Sequence, residues 1–256
     1  MKKLLLATPV LLTFLLNIGC KDSDSMKQDS VREFPQNNVA KVPSKEEVIE
    51  THLAAVGGVD ALKKVKKYTR VSAITVEDST GESNGTFHEA FDLVNDRSRV
   101  DLDLGTYKEA KAWQGQRGWK VSTFEPLRVL RPDEIAIERI TVPLSSVHGI
   151  LDSFGIDAFL PPVRVEFNEK PCVKLNFIGS ALDIYINERT NLIEGYLIPE
   201  FMQLTLSDYK EIDGVMMFTS EKAEIFGLNT KYDLKVKQIE FNVDLDAAKF
   251  DKPVGR

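Results

Sequence analysis

From Tyr68 onward the sequence alternates apolar and polar residues with a period of two, and tight turns separate the alternating segments. A period of two is typical of strands that have one face in the core and one face in water. Asp213-Gly214, between two such segments, is the strongest hairpin signal in the chain. Consecutive strands joined by short turns must be antiparallel. The alternation therefore predicts a long antiparallel meander rather than a parallel sheet with crossover helices.

Two stretches replace the alternation with helical spacing. The first begins at Ser44, which can cap a helix, and ends at Gly57-Gly58, after which residues 59–66 predict a second short helix. The other stretch is Pro132–Phe159, whose apolar spacing predicts an amphipathic helix that ends at Gly155. We therefore predict a single α+β domain, because so wide a sheet must curl and only the helices can cover its concave face.

The chain begins with the charged, apolar and small-residue order of a secretory signal peptide. Lys2 and Lys3 precede the apolar run Leu4–Leu16, which is shorter than the roughly 20 residues that a membrane-spanning helix needs. The run leads to Gly19-Cys20, and this arrangement resembles a bacterial lipoprotein signal, in which the cysteine is acylated and the leader is removed. Asn17 stands where that signal usually has leucine, so a plain cleaved signal that happens to contain a cysteine is the alternative.

The segment after Cys20 has few large apolar residues and cannot form a core. We predict a flexible tether with a root-mean-square reach of roughly 25 Å. Two or three acyl chains such as palmitate hold a protein stably on a membrane, whereas a single chain binds marginally. The predicted organisation is thus a signal peptide over residues 1–19, a lipidated cysteine and tether over 20–43, and one folded domain over 44–256.

The charge balance is acidic, with 33 basic and 39 acidic residues and a net charge of −6 when histidine is neutral. Lys63, Lys64, Lys66 and Lys67 form a basic patch that we interpret as the solvated end of a helix. Binding to nucleic acid, or to anionic lipid by charge alone, is therefore disfavoured. The two cysteines, Cys20 and Cys172, permit one disulfide at most, and none if Cys20 is acylated. We interpret Cys172, at the start of a predicted strand, as a small buried apolar residue.

One stretch matches a catalytic pattern. Gly81–Gly85 reads G-x-S-x-G around Ser83, and Asp101 or Asp103 followed by His148 could complete the triad of a serine hydrolase. A nucleophile elbow requires a parallel sheet of alternating strands and helices, which the rest of the sequence does not predict. We therefore interpret this stretch as a hairpin loop and retain the hydrolase only as a remote alternative.

The histidines do not suggest a metal site. His52, His88 and His148 lie far apart in the sequence, without the short spacings of common metal-binding motifs. We expect neither a metal nor a cofactor, and we expect that the protein is not an enzyme.

Five segments in this order carry a family resemblance: AAVGGVDALKKVK, QGQRGWKVS, CVKLNFIGSALDIYINERTNLIEGYL, SDYKEIDGVMMFTSEKAEIFG and KVKQIEFNVDLDAAKFDKP. They resemble the LolA/LolB-like superfamily, and more closely its members of the outer membrane lipoprotein-sorting type. The resemblance covers residues 45–253 and rests on turns and strand ends. It implies a half or incomplete β-barrel of about eleven strands, highly curved and wrapped over helices, with an apolar cavity for acyl chains.

Aromatic and methionine side chains at alternate positions are the candidates to line such a cavity, because pliable apolar side chains suit alkyl ligands. Within single strands, the period of two places these candidates on shared faces. They are Phe87, Phe91, Leu93, Trp119, Val121, Met202, Leu204, Met216 and Phe218. For any one of them, a place in a filled core is the competing interpretation.

The resemblance and the signal together predict a monomeric envelope lipoprotein, anchored through Cys20 at the periplasmic face of the outer membrane. Its ligand would be a lipid or a lipoprotein acyl chain, and its role transport or sorting without a covalent step. The alternative is an envelope sensor or scaffold that uses the same fold to bind a protein partner.

Overall fold

The computed structural model describes residues 31–33, 42–132, 134–135, 146–178 and 182–253. The predicted signal peptide and Cys20 lie outside these residues. The described chain forms two compact units. Unit 1 contains residues 63–132, 134–135 and 230–253, and unit 2 contains residues 31–33, 42–62, 146–178 and 182–229.

Strands make up most of both units. In chain order they are β1 (Val31–Glu33), β2 (Lys67–Asp78), β3 (Gly81–Asp92), β4 (Arg97–Asp103), β5 (Lys108–Gln114), β6 (Arg117–Ser122), β7 (Arg128–Val129), β8 (Val163–Phe167), β9 (Lys170–Phe177), β10 (Leu182–Asn187), β11 (Ile193–Ile198), β12 (Met202–Ser207), β13 (Lys210–Ile212), β14 (Val215–Met217), β15 (Ser220–Ile225) and β16 (Thr230–Phe241). The described residues thus contain sixteen strands, more than the eleven expected from the resemblance.

Unit 1 is an antiparallel sheet with the strand order β16-β2-β3-β4-β5-β6-β7. Sequence neighbours pair in succession from β2 to β7, as expected of a meander. The central strands of the meander alternate between buried and half-buried residues, with Val100 and Leu102 of β4 on the buried side. The prediction of antiparallel strands joined by short turns is therefore confirmed in this unit.

Unit 2 has the antiparallel order β1-β8-β9-β10-β11-β12-β15, and β13 and β14 form a separate two-stranded ribbon. The Asp213-Gly214 turn joins β13 to β14, and its two residues have φ values of 49° and 81°. Both residues are left-handed, as a two-residue hairpin that matches the strand twist requires. The hairpin predicted from Asp213-Gly214 is thus confirmed.

The helices are few and short. Helix α1 (Lys45–Ala55) begins after Ser44, whose Oγ accepts the backbone N–H of Glu47 at 3.2 Å, as predicted for a capping serine. Helix α2 (Val59–Lys64) is shorter than predicted and has no fully buried residue. Helix α3 (His148–Phe154) ends at Gly155, as expected. Among the described helices, none is long and apolar enough to cross a membrane.

Two local expectations were wrong. The stretch Gly81–Gly85 is not a hairpin loop, because it forms the first five residues of β3 and the turn is Ser79-Thr80. The segment predicted as a free tether contains β1, which pairs with β8. Three residues are too few to show a period, so the sequence pattern could not indicate this strand.

Gly195 of β11 provides a test of this packing. A Cβ atom at this position would lie 2.6 Å from the ring of Phe167 and 2.2 Å from the carbonyl oxygen of Leu204. Because such overpacking forces the neighbours apart, Gly195→Ala should lower the free energy of unfolding by about 1–3 kcal/mol in urea titrations. Gly227→Ala is the control, since nothing lies within 4 Å of its added Cβ. Equal stability of the two variants would contradict this account.

Candidate ligand-binding site

In unit 2, α1 packs against the sheet through Val48, Ile49 and His52, all of which are buried. The end of the helix is held by the ribbon, because the backbone N–H of Met216 donates to the carbonyl oxygen of Val56 at 3.1 Å. The start of the helix is held by Lys45, whose Nζ lies 3.3 Å from Asp157. The helix is therefore fixed at both ends over the strands.

A cavity of about 750 Å³ lies between α1 and the strands of unit 2. On one side it is lined by the residues that precede α1 and by the first two turns of the helix. On the other side it is lined by β8, β9, β10 and the turn after β10. The lining residues are Val42, Pro43, Ser44, Glu47, Val48, Thr51, Arg164, Val173, Ile186, Asn187, Glu188 and Asn191. The volume lies within the 300–1,000 Å³ usual for small-molecule sites.

The cavity has an apolar part and a charged part. Val173 of β9 and Ile186 of β10 are a cross-strand pair, so their side chains share one face, and Val48 of α1 lies above the same face. On the charged side, the Nε of Arg164 lies 2.5 Å from a carboxylate oxygen of Glu188. Both side chains remain partly exposed, at 21% and 27%. An alkyl chain with a polar end matches this arrangement better than a purely apolar molecule.

His52 connects three parts of the site. Its Nδ1 lies 2.8 Å from the carbonyl oxygen of Asn191, and its Nε2 accepts the backbone N–H of Val147 at 3.4 Å. Only a neutral imidazole can donate at one nitrogen and accept at the other. Burial is the main reason that the pKa of His52 is lowered to about 4, although the hydrogen bond to Asn191 opposes the shift. The ring therefore holds α1, the β10–β11 turn and the start of α3 together while it is uncharged.

Unit 1 has a shallower concavity of about 660 Å³ on one face of β3–β6. Ala110 and Val121 form part of its floor, because they are paired across β5 and β6. Its charged groups are already paired with one another: the Arg99 guanidinium makes two bonds of 2.7 Å to Asp101, and Lys108 lies 2.6 Å from Asp103. Arg164 and Glu188 of the unit 2 cavity are an internal pair of the same kind, so pairing alone does not distinguish the two concavities.

The register separates the cavity candidates of unit 1 onto two faces. Phe87 pairs with Leu102, which pairs with Glu109, so these residues share the buried face. Trp119 pairs with Ala112, which is three residues after Glu109 on β5 and so points to the opposite face of the sheet. Trp119 therefore lies on that opposite face, together with Val121. The Nε1 of Trp119 donates to the carbonyl oxygen of Phe250 at 3.1 Å, so the C-terminal segment covers this ring. The expectation that the set lines one cavity is therefore wrong for Trp119 and Val121 relative to Phe87.

Phe91 and Leu93 also differ. Phe91 is buried on the face of Phe87 and lies 4.6 Å from the ring of Tyr68. Leu93 is outside β3, in the turn that follows it, and is 47% exposed. The predicted strand continued too far, because Asp92 ends it by accepting the backbone N–H of Asn95.

The candidates in unit 2 lie nearer to the cavity without lining it. Leu204 of β12 pairs with Tyr196 of β11, and this register places Met202 and Leu204 on the same sheet face as Ile186. Both are buried. Phe218 is buried against the ring of Tyr209, whereas Met216 is half-buried on β14. These four residues belong to the packed surroundings of the site.

Charged groups interrupt the buried face of unit 1. Glu109 is 5% exposed. Its carboxylate accepts a hydrogen bond of 2.5 Å from the Tyr107 hydroxyl and forms an ion pair with the Lys120 ammonium at 3.0 Å. Burial, together with the charge of Glu109, raises the pKa of Tyr107. This face is consequently less suited to an alkyl chain than its aromatic residues alone suggest.

The catalytic candidates are distributed over both units. Ser83 pairs with Val76 inside β3, so it does not stand at a turn between a strand and a helix. His148 is bonded to Asp152 at 3.3 Å in unit 2, whereas Ser83, Asp101 and Asp103 belong to unit 1. Within the described residues, no group of three His, Cys, Asp or Glu side chains could hold a metal ion. Cys172 is fully buried, and burial raises the pKa of its thiol to about 12.

Sequence reasoning missed the residues that line the cavity of unit 2. A signal was present in β10 and β11, where Ile184–Ile186 and Tyr196–Ile198 are runs of three apolar residues instead of an alternation. Such runs indicate strands that are covered on both faces. A helix can then cover one of those faces. The predicted helix that ends at Gly155 is nearer to these strands in sequence, but α1 is the helix that lines the cavity with them.

Comparisons with solved structures identify the fold. A LolA superfamily protein from Nitrosomonas europaea is 12% identical, with a TM-score of 0.51, over 82% of this chain and 98% of that protein. A protein described as an outer membrane lipoprotein-sorting domain, from Vibrio parahaemolyticus, is 11% identical, with a TM-score of 0.50, over 80% of this chain and 95% of that one. The chain has a LolA-like fold.

The sequence itself matches no protein-family model, and a search of curated proteins gave no significant match. At 11–12% identity, likeness to the solved structures establishes the LolA-like fold alone. The LolA-like resemblance read from the sequence is thereby confirmed at the level of fold. Ligand and role have to be argued from the cavity of unit 2.

The titration of His52 provides a prediction about this site. The unfolded state takes up a proton near pH 6.5, whereas the folded state resists protonation until about pH 4. The free energy of unfolding should therefore decrease as the pH falls from about 6.5 to about 4, by about 3 kcal/mol over the whole window. Urea unfolding at pH 7.0 and pH 4.5 should show a clearly smaller pH-dependent loss for His52→Gln than for the unmodified protein. His88→Gln, which alters an exposed histidine, should behave as the unmodified protein, and the same loss in all three proteins would refute the assignment.

Proposed function

We propose that this protein binds the alkyl part of a lipid, or of a lipoprotein's acyl chain, in the cavity between α1 and the β8–β10 strands. The observation that carries the proposal is that cavity, which has a ligand-sized volume and a mixed lining in which Val48, Val173 and Ile186 form the apolar part. The LolA-like fold supports it, since solved relatives with this fold include a protein described as a lipoprotein-sorting domain. Binding would consist of moving the alkyl groups of the ligand from water into the cavity, and it would require no covalent step.

The energetics follow from the removal of alkyl groups from water. Each buried methylene contributes roughly 0.8 kcal/mol. Micromolar binding corresponds to about 8 kcal/mol, so about ten buried methylenes are needed even before the cost of immobilising the ligand is added. The ion pair of Arg164 and Glu188 remains partly in water, where it can contact the polar end of the ligand. The arrangement therefore favours an amphiphile with its alkyl end under α1.

The envelope location is part of the same proposal. The signal-like N-terminus and its Cys20 would place the protein on the periplasmic side of the cell envelope. Acyl chains on Cys20 would hold it at a membrane, which we propose to be the outer membrane. The protein would act there as a monomer that carries or receives an acylated molecule. This role fits the acidic surface, which offers anionic lipid no attraction by charge.

A protein partner is the second candidate, and one surface of unit 2 favours it. Phe154, Leu160 and Ile178 are each 45–57% exposed. Their segments are adjacent, because the N–H of Ile178 donates to Ala158 and the N–H of Leu160 donates to Asn176. Clustered exposed apolar residues are typical of protein interaction sites. A sensor or scaffold role would use this surface in place of the cavity.

A bulky side chain in the cavity should distinguish the two functions. Thr51 lines the cavity and is itself exposed, so Thr51→Trp should fill the space without overpacking the core. We expect the affinity for a fluorescent fatty acid, measured by titration, to fall at least about tenfold, equivalent to 1.4 kcal/mol. Glu50→Trp, on the same helix but outside the lining, is the matched control. Fatty-acid binding that is equal in both variants would exclude this cavity as the site.

The anchor requires a separate test. Cys20→Ser removes the only thiol that the signal could acylate, so the variant should move from the membrane pellet to the soluble fraction of lysed cells. Mass spectrometry of the unmodified protein should show the mass of the attached acyl chains. A Cys20→Ser protein that remains in the membrane pellet would refute the anchor, although the cavity could still bind its ligand.

A further inference from the structure

The edge of the unit 2 sheet is occupied by a strand from far upstream in the sequence. β1 pairs antiparallel with β8, with Val31 opposite Phe167, Arg32 opposite Glu166 and Glu33 opposite Val165. More than a hundred residues separate the two strands in the sequence. β8 is therefore an edge strand that is covered by a segment lying outside the predicted domain.

The pairing has a definite side-chain pattern. Val31 packs against a cluster of buried residues on one face of the sheet: Val165, Phe167, Cys172, Tyr185 and Leu197. The rings of Phe167 and Tyr185 are stacked at 4.1 Å and provide a flat apolar surface. The next residue, Arg32, is exposed and stands opposite the acidic Glu166. The edge thus accepts an extended segment with an apolar residue followed by a basic one.

This occupant is held weakly. A strand of three residues can form only a few ladder hydrogen bonds, and each contributes about 0.5–1.5 kcal/mol net. Val31 is only half-buried, and a single half-buried valine adds less than the 1.5–3 kcal/mol of a fully buried one. Elements with so few buried contacts open locally at low free energy. β1 can therefore leave β8 without unfolding unit 2.

The β8 edge adjoins the cavity. Arg164 lines the cavity, and it is next in sequence to Val165, the last residue of β8 that β1 covers. Val42 and Pro43, which follow β1 in the chain, line the same cavity. β1 runs toward Val165, so an extended polypeptide in the same register would have its C-terminal end near the cavity. An acyl chain at its N-terminal end would reach the cavity by folding back through the residues that precede the strand.

We propose that the edge of β8 is a docking site for the extended segment that follows the acylated cysteine of another lipoprotein, and that Val31–Glu33 is this chain's own occupant of the site. The chain offers the pattern itself, since Val31 lies eleven positions after Cys20. The proposal rests on the proposed function for the acyl chain, and it adds the polypeptide as a second element of recognition. Strand addition supplies affinity through the main chain, and the Phe167–Tyr185 surface supplies selectivity.

The internal occupant should compete strongly with any external segment. A short linker gives a tethered strand an effective concentration in the millimolar range, so a free peptide binds measurably only when the tethered strand is weakened. Val31→Asp places a charge against the apolar cluster and should release β1. A disulfide between Arg32→Cys and Glu166→Cys should hold β1 in place, because opposite residues in antiparallel strands have the Cα separation that a disulfide requires.

The test uses the full chain with Cys20→Ser and a fluorescein-labelled peptide of residues 28–36, QDSVREFPQ. Fluorescence anisotropy should show that the chain with added Val31→Asp binds the peptide at least tenfold more tightly than the chain without it. The oxidised Arg32→Cys/Glu166→Cys chain should not bind, and reduction should restore binding. A peptide carrying Val31→Asp is the control for the apolar contact, and unchanged thermal melting of the Val31→Asp chain is the control for folding.

The outcomes separate this inference from the proposed function. If Val31→Asp does not increase peptide binding, or the oxidised chain binds as well as the reduced one, the docking site is refuted even where the fatty acid binds. Peptide binding without fatty-acid binding would refute the lipoprotein as partner, and the proposed function with it. Binding of both, with stronger peptide binding when the fatty acid is present, is the expected result.

Discussion

The burial of β10 and β11 on both faces is the constraint on which the rest of unit 2 depends. Every residue of β10 is buried, including Asp183 and Asn187, and so are five of the six residues of β11. α1 lies over one face, and on the other face the side chains of β8–β11 form the cluster around Phe167 and Tyr185, against which Val31 and Phe226 pack. Without α1, the apolar side chains of the first face would meet water. The capping of α1 by Ser44 and the neutral His52 therefore support the sheet and not the helix alone.

The features that could be predicted from sequence are those that a few adjacent residues determine. Asp213-Gly214 has the residues that tolerate left-handed backbone, and Ser44 has the oxygen that a helix start needs, so both were found. The antiparallel order of the meander followed from the shortness of its turns. The register between strands depends on packing that is distant in sequence, and the sequence pattern made no prediction of it.

The cavity candidates illustrate this limit. Periodicity shows which residues share a face within one strand, but it cannot relate that face to the next strand, because one residue more or less in a turn reverses it. Phe87 and Trp119 fall on opposite faces for this reason. The lining of the actual cavity could not be derived either, since Val173 and Ile186 become neighbours of α1 only when residues more than a hundred positions apart are brought together.

The two units differ in what their buried faces could accept. In unit 1, the pair of Glu109 and Lys120 is almost fully buried, and within the described residues the second carboxylate oxygen of Glu109 has no hydrogen-bond partner. An alkyl chain over this carboxylate would bring apolar groups against a buried charge without supplying the missing hydrogen bond. The charges bordering the cavity of unit 2 keep partial access to water, so an alkyl ligand can approach them without this penalty.

If Cys20 carries the proposed acyl chains, the position of β1 would also limit how far the folded protein stands from a bilayer. Ten residues, Lys21–Ser30, separate Cys20 from Val31. With acyl chains on Cys20 and β1 docked, the domain could rise by at most about 35 Å, and by roughly 17 Å on average for a flexible chain. Release of β1 would lengthen this connection to the whole segment before α1. Docking of three residues would thus set the height of the protein above the membrane, and with it the molecules within reach.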